Sequence, residues 1–340
     1  MSKKLTVFLL VATFLISPIS QVSASSLNSY HVGNSLTADA QITYYSGAVE
    51  MANLAGLVWD TGWHIDCGAS LEQIVNNPDD NCVSPDPVFG KYYEALPNLS
   101  FDAVTYQPFK GTPNNEVAAA QQLIDMTTNG GTLYMYETWP LHDDSLTLAE
   151  DWGTTTPSGG DATFMRRKHQ HQYVLNALRS AGNDLLVVPA VEALVAFEAK
   201  MLAGEVPGQY STDDLYADAY HLTNLGRYVA ANTMVATIFK QSTVGFPIPD
   251  DFYNPNRAQA VPLTDEVARI IQETVWDVVT NNPDAGVLEG DLNDDGFVGL
   301  SDLDIILNAW NQNVPLVHEA DENNDGYVGI GDLEIGRAHV

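Results

Sequence analysis

From Leu27 to about Lys240 the chain alternates short apolar runs with longer stretches of helical spacing, and this constrains its fold most. Tyr30-His31-Val32, Leu57-Val58-Trp59, Phe101 to Tyr106, Thr132 to Glu137 and Asp184 to Pro189 have the length and flanking residues of buried strands. Ala38–Leu54, Glu116–Met126, Phe164–Ala181, Val191–Leu202 and Leu222–Phe239 space their apolar residues as helices do. Strands alternating with helices predict an α/β fold, a three-layer α/β/α sandwich around a parallel sheet. Ligands of such sheets bind beyond the carboxyl ends of the strands, so the residues just after each strand carry the functional weight.

Organisation changes along the rest of the chain. Gly245 to Pro262 is rich in Pro, Asn and Asp and reads as irregular. Thr264 to Val279 reads as a helix that packs back on the first domain, with Thr264 as its cap and Asp265 and Glu266 complementing the helix dipole. A boundary falls at Asn281 to Gly286, and Val287 to Leu333 contains no Lys or Arg. At the other end, Lys3 and Lys4 precede an apolar stretch from Leu5 to Ile19 and a small-residue cleavage site at Val22-Ser23-Ala24. Residues 1–24 therefore read as a secretory signal peptide, with an uncleaved membrane anchor as the alternative. The expected domains are 25–286, with its core ending near 240, and 287–340. The expected location is extracellular or periplasmic, with no membrane segment in the mature form.

Charge narrows the choice of partner. The 340 residues carry 14 Lys and Arg against 44 Asp and Glu, a net charge of −30, and twelve of the acids fall between Glu289 and Glu334. Nucleic-acid binding runs on cationic side chains that neutralise phosphates, so no nucleic-acid partner is expected, and anionic lipid is disfavoured likewise. Two cysteines, Cys67 and Cys82, lie in the exported part. An oxidising compartment permits a disulfide between them, and two unlinked thiols are the alternative.

Gly33-Asn34-Ser35-Leu36-Thr37 sits where the first strand gives way to a helix. A serine there lies at the carboxyl edge of the sheet, beside backbone N–H groups able to receive a developing oxyanion; its plainer role is a helix N-cap. Asp218-Ala219-Tyr220-His221 precedes a helix opening at Thr223 and Asn224. An Asp three residues before a His can hold one ring nitrogen and leave the other to act as a base. An N-terminal G-N-S-L followed by a C-terminal D-x-x-H resembles the SGNH (GDSL-like) hydrolases, over about Ser26 to Lys240. The resemblance implies a flavodoxin-like three-layer fold, with Ser35 as nucleophile, His221 as general base and acid, and Asp218 as the group that orients the imidazole. Asn34 stands where the family usually has Asp. Gly68 occupies the order expected of the oxyanion-hole glycine, or is an ordinary turn glycine. The family's G-x-N-D motif is missing, and Gln107 stands in its place, able to donate the same kind of side-chain N–H or to serve as a strand-end polar group. Ser35, Gly68 and Gln107 are thus the expected oxyanion donors. Trp139 reads as core, with a sugar-binding wall as the alternative.

Beyond the boundary the chain repeats itself with a period of 30 residues. Asp291-Leu-Asn293-Asp-Asp295-Gly296-Phe297 through Asp302 matches Asp321-Glu-Asn323-Asn-Asp325-Gly326-Tyr327 through Asp332. Side-chain oxygens at loop positions 1, 3, 5 and 12, with a carbonyl at 7, form the ligand set of Ca²⁺. The expected ligands are Asp291, Asn293, Asp295, Phe297 and Asp302, then Asp321, Asn323, Asp325, Tyr327 and Asp332. Asp rather than Glu at position 12, with no helix before the loop, makes the repeat resemble a type I dockerin, a small all-α module of two loop–helix units. That resemblance implies structural Ca²⁺ and a cohesin-like protein partner. A helix is expected from Leu303 to Trp310 and another from Leu333. The final Gly336-Arg337-Ala338-His339-Val340 resembles the translation of a sequencing adapter, so the module reads as truncated.

The expected function is a secreted serine esterase that hydrolyses carboxylic esters through an acyl-enzyme, without a catalytic cofactor, and removes acetyl groups from polysaccharide. The alternative is a non-catalytic protein that binds carbohydrate or a cell surface on the same fold.

Overall fold

The structure is a computed structural model and describes residues 26–142, 146–153, 168–253, 261–293, 296–315, 317–321 and 323–333. The expected leader, Asp295 and the last seven residues lie outside that set. Strands β1 (Ser26–Gly33), β2 (Val58–Ile65), β3 (Ala103–Tyr106), β4 (Thr132–Tyr136) and β5 (Leu185–Val188) form one five-stranded sheet in the order β2-β1-β3-β4-β5. Every neighbouring pair is parallel. The expected strand at Tyr30 is longer than its apolar core, because Ser26–Ser29 extend the ladder with β2 from Val58 to Thr61. All four residues of β3 are buried, as a strand covered on both faces requires.

The described residues form twelve α-helices. In chain order they are α1 (Ser35–Asp39), α2 (Gly47–Ala55), α3 (Leu71–Asn76), α4 (Tyr92–Ala95), α5 (Pro113–Met126), α6 (Leu148–Gly153), α7 (Lys168–Ser180), α8 (Ala190–Leu202), α9 (Asn224–Phe239), α10 (Asp250–Tyr253), α11 (Asp265–Asn281) and α12 (Leu300–Ala309). Apolar side chains of α1, α2, α8, α9 and α11 form one buried cluster. Those of α3, α4, α5 and α7 form another, with Tyr30, Val32, Val104 and Tyr106 of the sheet. The sheet thus lies between two helical layers, as the alternation predicts.

One predicted helix is corrected. Ala38–Leu54 is not continuous: α1 ends at Asp39, and the chain resumes helix only at Gly47. Periodicity bridged the gap because Ala40 and Ile42 are buried although they are not helical. Among its described residues, the Gly245–Pro262 stretch also contains a short helix, α10. Elsewhere local chemistry sets the ends. Thr264 caps α11 by accepting from Val267 N–H, and Ser70 with Gln73 forms a capping box on α3.

α11 packs against α8 and α9, and its Val267, Ile271 and Val275 join the first cluster. Past it, Val187 N–H donates to Asp284 O at 2.8 Å, and Ala285 and Val287 are buried in the same cluster. The described residues after 287 contain α12, three residues longer at its start than expected, and a 3₁₀ turn at Ile330–Leu333. Asn311 and Gln312 pair with Val328 through backbone hydrogen bonds. Asn324 Nδ2 donates to Ser242 O at 3.2 Å, so this segment lies against the α/β unit.

Candidate active site

β1 delivers its last residues to the carboxyl edge of the sheet between β2 and β3, where the strand order reverses. That reversal is where open α/β sheets leave a crevice. Asn34 is the cap of α1: its backbone is extended and its Oδ1 accepts from Leu36 N–H at 3.0 Å. The capping role open to Ser35 therefore belongs to its neighbour. Ser35 is the first helical residue, partly exposed, with a backbone N–H that has no acceptor within the helix.

The Ser35 hydroxyl meets His221, whose Nε2 lies 3.0 Å from Oγ across 186 residues of sequence. On the other side of the ring, Nδ1 lies 2.9 Å from Asp218 Oδ2 and 3.1 Å from Oδ1. Asp218 also shapes the loop, since its Oδ1 accepts from Tyr220 N–H at 2.7 Å and His221 N–H at 2.8 Å. Partial burial pushes the Asp218 carboxyl up, but the N–H donors of His221 and Tyr220 outweigh it and hold the group below the usual carboxylate range. Asp218 thus presents a carboxylate to the imidazole.

Two supports of this loop were not anticipated. Trp139, fully buried, donates its indole N–H to Tyr220 O at 2.8 Å. It is therefore core, and its buried ring offers no wall to a sugar. Asp39, at the far end of α1, accepts from Leu222 N–H at 3.0 Å and pairs with Arg227 Nε at 2.7 Å. One buried carboxylate thereby joins the helix that opens at Ser35 to the loop that carries His221. No motif marks Asp39 or Arg227. The clue was their charge inside otherwise apolar helical stretches.

Gln107 follows β3 and is 1% exposed. Its Oε1 accepts from Asn34 N–H at 2.9 Å and Thr37 Oγ1 at 2.8 Å. The backbone donor settles which end of the amide faces Asn34, so Nε2 is the other end, a buried donor without a hydrogen-bond partner among the described residues. Gln107 is thus bonded to backbone through its oxygen while its N–H₂ remains in reserve. Gly33 has to be glycine here, because a Cβ would come within 2.2 Å of Thr37 Oγ1 and 2.7 Å of Gln107 Oε1. Gly68 is a turn glycine with φ +70°, partly exposed. Its neighbour Ala69 accepts from Asn34 Nδ2 at 2.9 Å, which joins this turn to the Ser35 segment. Cys67 and Cys82 form a disulfide, Cα atoms 5.5 Å apart, that closes the loop next to Gly68.

In the C-terminal repeat, Asp302, Asp321 and Asp332 are buried. Their carboxylates face backbone donors: Asp302 accepts from Leu292 N–H at 2.9 Å and Gly299 N–H at 2.7 Å. Asp332 accepts from Gly329 N–H at 2.7 Å, and Asp291 and Asp321 each accept from the following loop glycine at 2.8 Å. Among the described residues, no three His, Cys, Asp or Glu side chains converge as a metal-binding group.

No protein-family model matches the chain, and no curated protein matches it by sequence. The fold is similar to that of a DUF4886 family protein from Bacteroides uniformis, with a TM-score of 0.51 at 16% identity, over 76% of this chain and 96% of that one. A gut microbial diltiazem-metabolizing enzyme aligns at a TM-score of 0.39 and 9% identity, over 65% of this chain and 48% of that one. A protein described as a platelet activating factor from Streptococcus pneumonia aligns at 0.39 and 13%, over 64% of this chain and 86% of that one. No described helix is long and apolar enough to cross a membrane.

Proposed function

We propose that the chain is a serine hydrolase of carboxylic esters. One observation carries the reading: Ser35 Oγ lies 3.0 Å from His221 Nε2, and Asp218 Oδ2 lies 2.9 Å from Nδ1 of the same ring. A nucleophile, a base in contact with it and an acid that orients the base are the three parts of hydroxyl activation. His221 takes the Ser35 proton as Oγ attacks the ester carbonyl. The oxyanion that forms is received by the N–H groups of Ser35 and Gly68 and by the Nε2 of Gln107. His221 then hands the proton to the departing alcohol, leaving Ser35 acylated. Water, deprotonated by His221, releases the acid and restores the hydroxyl. None of these steps calls on a metal or cofactor.

The substrate class in this proposal is an acetylated polysaccharide met outside the cell. Export rests on the leader-like residues 1–24 and on the Cys67–Cys82 disulfide, which belongs to oxidising compartments. The decisive experiment compares wild type and Ser35→Ala on p-nitrophenyl acetate and on acetylated polysaccharide. Turnover by the wild type that disappears in Ser35→Ala is the expected result. Turnover that survives the substitution ends the mechanism.

For the C-terminal repeat we propose dockerin-like structural Ca²⁺ binding with a cohesin-like partner. What supports Ca²⁺ is donor chemistry alone, oxygen at positions 1, 3, 5, 7 and 12 of both loops. Asp291, Asn293, Asp295 and Asp302 would hold one ion, and Asp321, Asn323, Asp325 and Asp332 the other, with the carbonyls of Phe297 and Tyr327. Calorimetry on the whole chain should register Ca²⁺ uptake that falls when Asp321 and Asp325 become Ala, and an absence of heat would end this part.

A further inference from the structure

Glu116 lies in the first turn of α5 and is fully buried, although nothing in the mechanism above employs it. Its Oε2 accepts from Leu71 N–H at 3.2 Å and from Phe109 N–H at 3.1 Å, and its Oε1 accepts from Glu72 N–H at 3.3 Å. Leu71 and Glu72 open α3, three and four residues beyond Gly68, and Phe109 lies two residues beyond Gln107. One carboxylate therefore ties the turn that carries Gly68 to the loop that carries Gln107. Asn34 completes the frame. Its backbone N–H holds Gln107 Oε1, and its side chain holds Ala69 O, one residue past Gly68. The segments bearing Ser35, Gly68 and Gln107 are thus joined in pairs, two of the joints made by Asn34 and the third by Glu116.

We propose that Glu116 is a positioning residue for the oxyanion donors, fixing the Gly68 turn against the Gln107 loop. The inference rests on the esterase reading. Helix capping alone does not account for the residue, because Ser70 and Gln73 already form a capping box on α3 and Phe109 belongs to no helix. A buried carboxyl is costly to keep, and here it is met by backbone N–H groups from two separate segments. Preorganised donors are effective because they need not move as charge develops, so loosening this joint should slow the chemical step more than it weakens substrate binding.

The test compares wild type, Glu116→Ala, Glu116→Gln and Leu123→Ala. Leu123 is a fully buried residue of the same helix and serves as a control for general destabilisation. Kinetics on p-nitrophenyl acetate below the melting range should show kcat of Glu116→Ala reduced about 10- to 100-fold, with KM within about two-fold. Glu116→Gln retains one carbonyl oxygen for Leu71 and Phe109 N–H and should recover part of the loss. Leu123→Ala should melt earlier with kcat preserved. Amide hydrogen exchange gives a readout without substrate: Glu116→Ala should exchange faster in both 66–72 and 107–112. An unchanged 107–112 segment overturns the proposal, as does a Glu116→Ala kcat within two-fold of wild type. A wild type inert on every ester instead overturns the esterase reading, so the two failures are distinguishable.

Discussion

Asp39 closes the helix that Ser35 opens, and its Oδ1 pairs with Arg227 Nε at 2.7 Å while its Oδ2 accepts from Leu222 N–H at 3.0 Å. Burial pushes the Asp39 carboxyl above its usual range, and Arg227 opposes that shift. Removing Arg227 would leave a buried carboxylate without its cation, which typically costs about 3 kcal/mol or more. Arg227→Met, similar in length but uncharged, should therefore lower the urea midpoint substantially. The loss should be larger at pH 8 than at pH 5, because a proton can replace the missing charge only in acid. Equal loss at both values would show that packing, not charge, is what Arg227 contributes.

Asp218 divides its contacts unevenly between its two oxygens. Its Oδ1 serves the N–H groups of Tyr220 and His221, and the nearest imidazole contact is with Oδ2. Asp218→Asn can keep the Oδ1 acceptor, and with it the loop, while replacing Oδ2 by an N–H₂ that cannot accept from Nδ1–H. The expected result is a fold unchanged by circular dichroism and a kcat on p-nitrophenyl acetate lowered at least about 100-fold. A loss under three-fold would mean that the retained Oδ1, 3.1 Å from Nδ1, is enough to orient His221.

Much of this was legible in the sequence, for reasons that differ between levels. Strands and helices announced themselves because burial on both faces makes apolar runs continuous, and the Ser35 and His221 motifs lie where strands and helices meet. The supports did not. Asp39 and Arg227, Glu116 and its backbone donors, and Trp139 and Tyr220 O are contacts between residues far apart in the chain, and no local period records them. The α1–α2 break was hidden for a related reason, since Ala40 and Ile42 are buried by tertiary packing rather than by a helical face. Gln107 was found by its place after β3, but only its bonds to Asn34 and Thr37 reveal which end of the amide is free.

The Cys67–Cys82 bridge spans 15 residues and adjoins the Gly68 turn. Closing a loop of that size contributes about 3 kcal/mol in the chain-entropy view. Urea unfolding with and without a phosphine reductant should show a lower midpoint for the reduced wild type. The Cys67→Ser, Cys82→Ser double variant should match the reduced protein and ignore the reductant. A double variant as stable as the oxidised wild type would mean that the Ile65–Val83 bridge already holds this loop.

Glu137, the residue after β4, gives the fold a pH dependence of definite sign. It is 6% exposed, and its carboxyl is pushed up to about 8, first by burial and then by the nearby Glu192 and Asp284, with Lys168 opposing. The folded chain therefore keeps this proton to about pH 8, whereas the unfolded chain releases it near the ordinary Glu value of about 4.3. Native protein binds more protons across that interval, so its stability from this group is complete in acid and declines as pH rises towards 8. Glu116, raised to about 7 by burial, acts in the same direction with a lower end point. Glu137→Gln preserves the shape and removes the titration. Wild type should show a higher urea midpoint at pH 5 than at pH 8.5, and the variant should show a smaller difference, with Glu116 supplying part of what remains. The same slope in both proteins would mean that Glu137 ionises freely in the folded state, its charge met at the β4 edge.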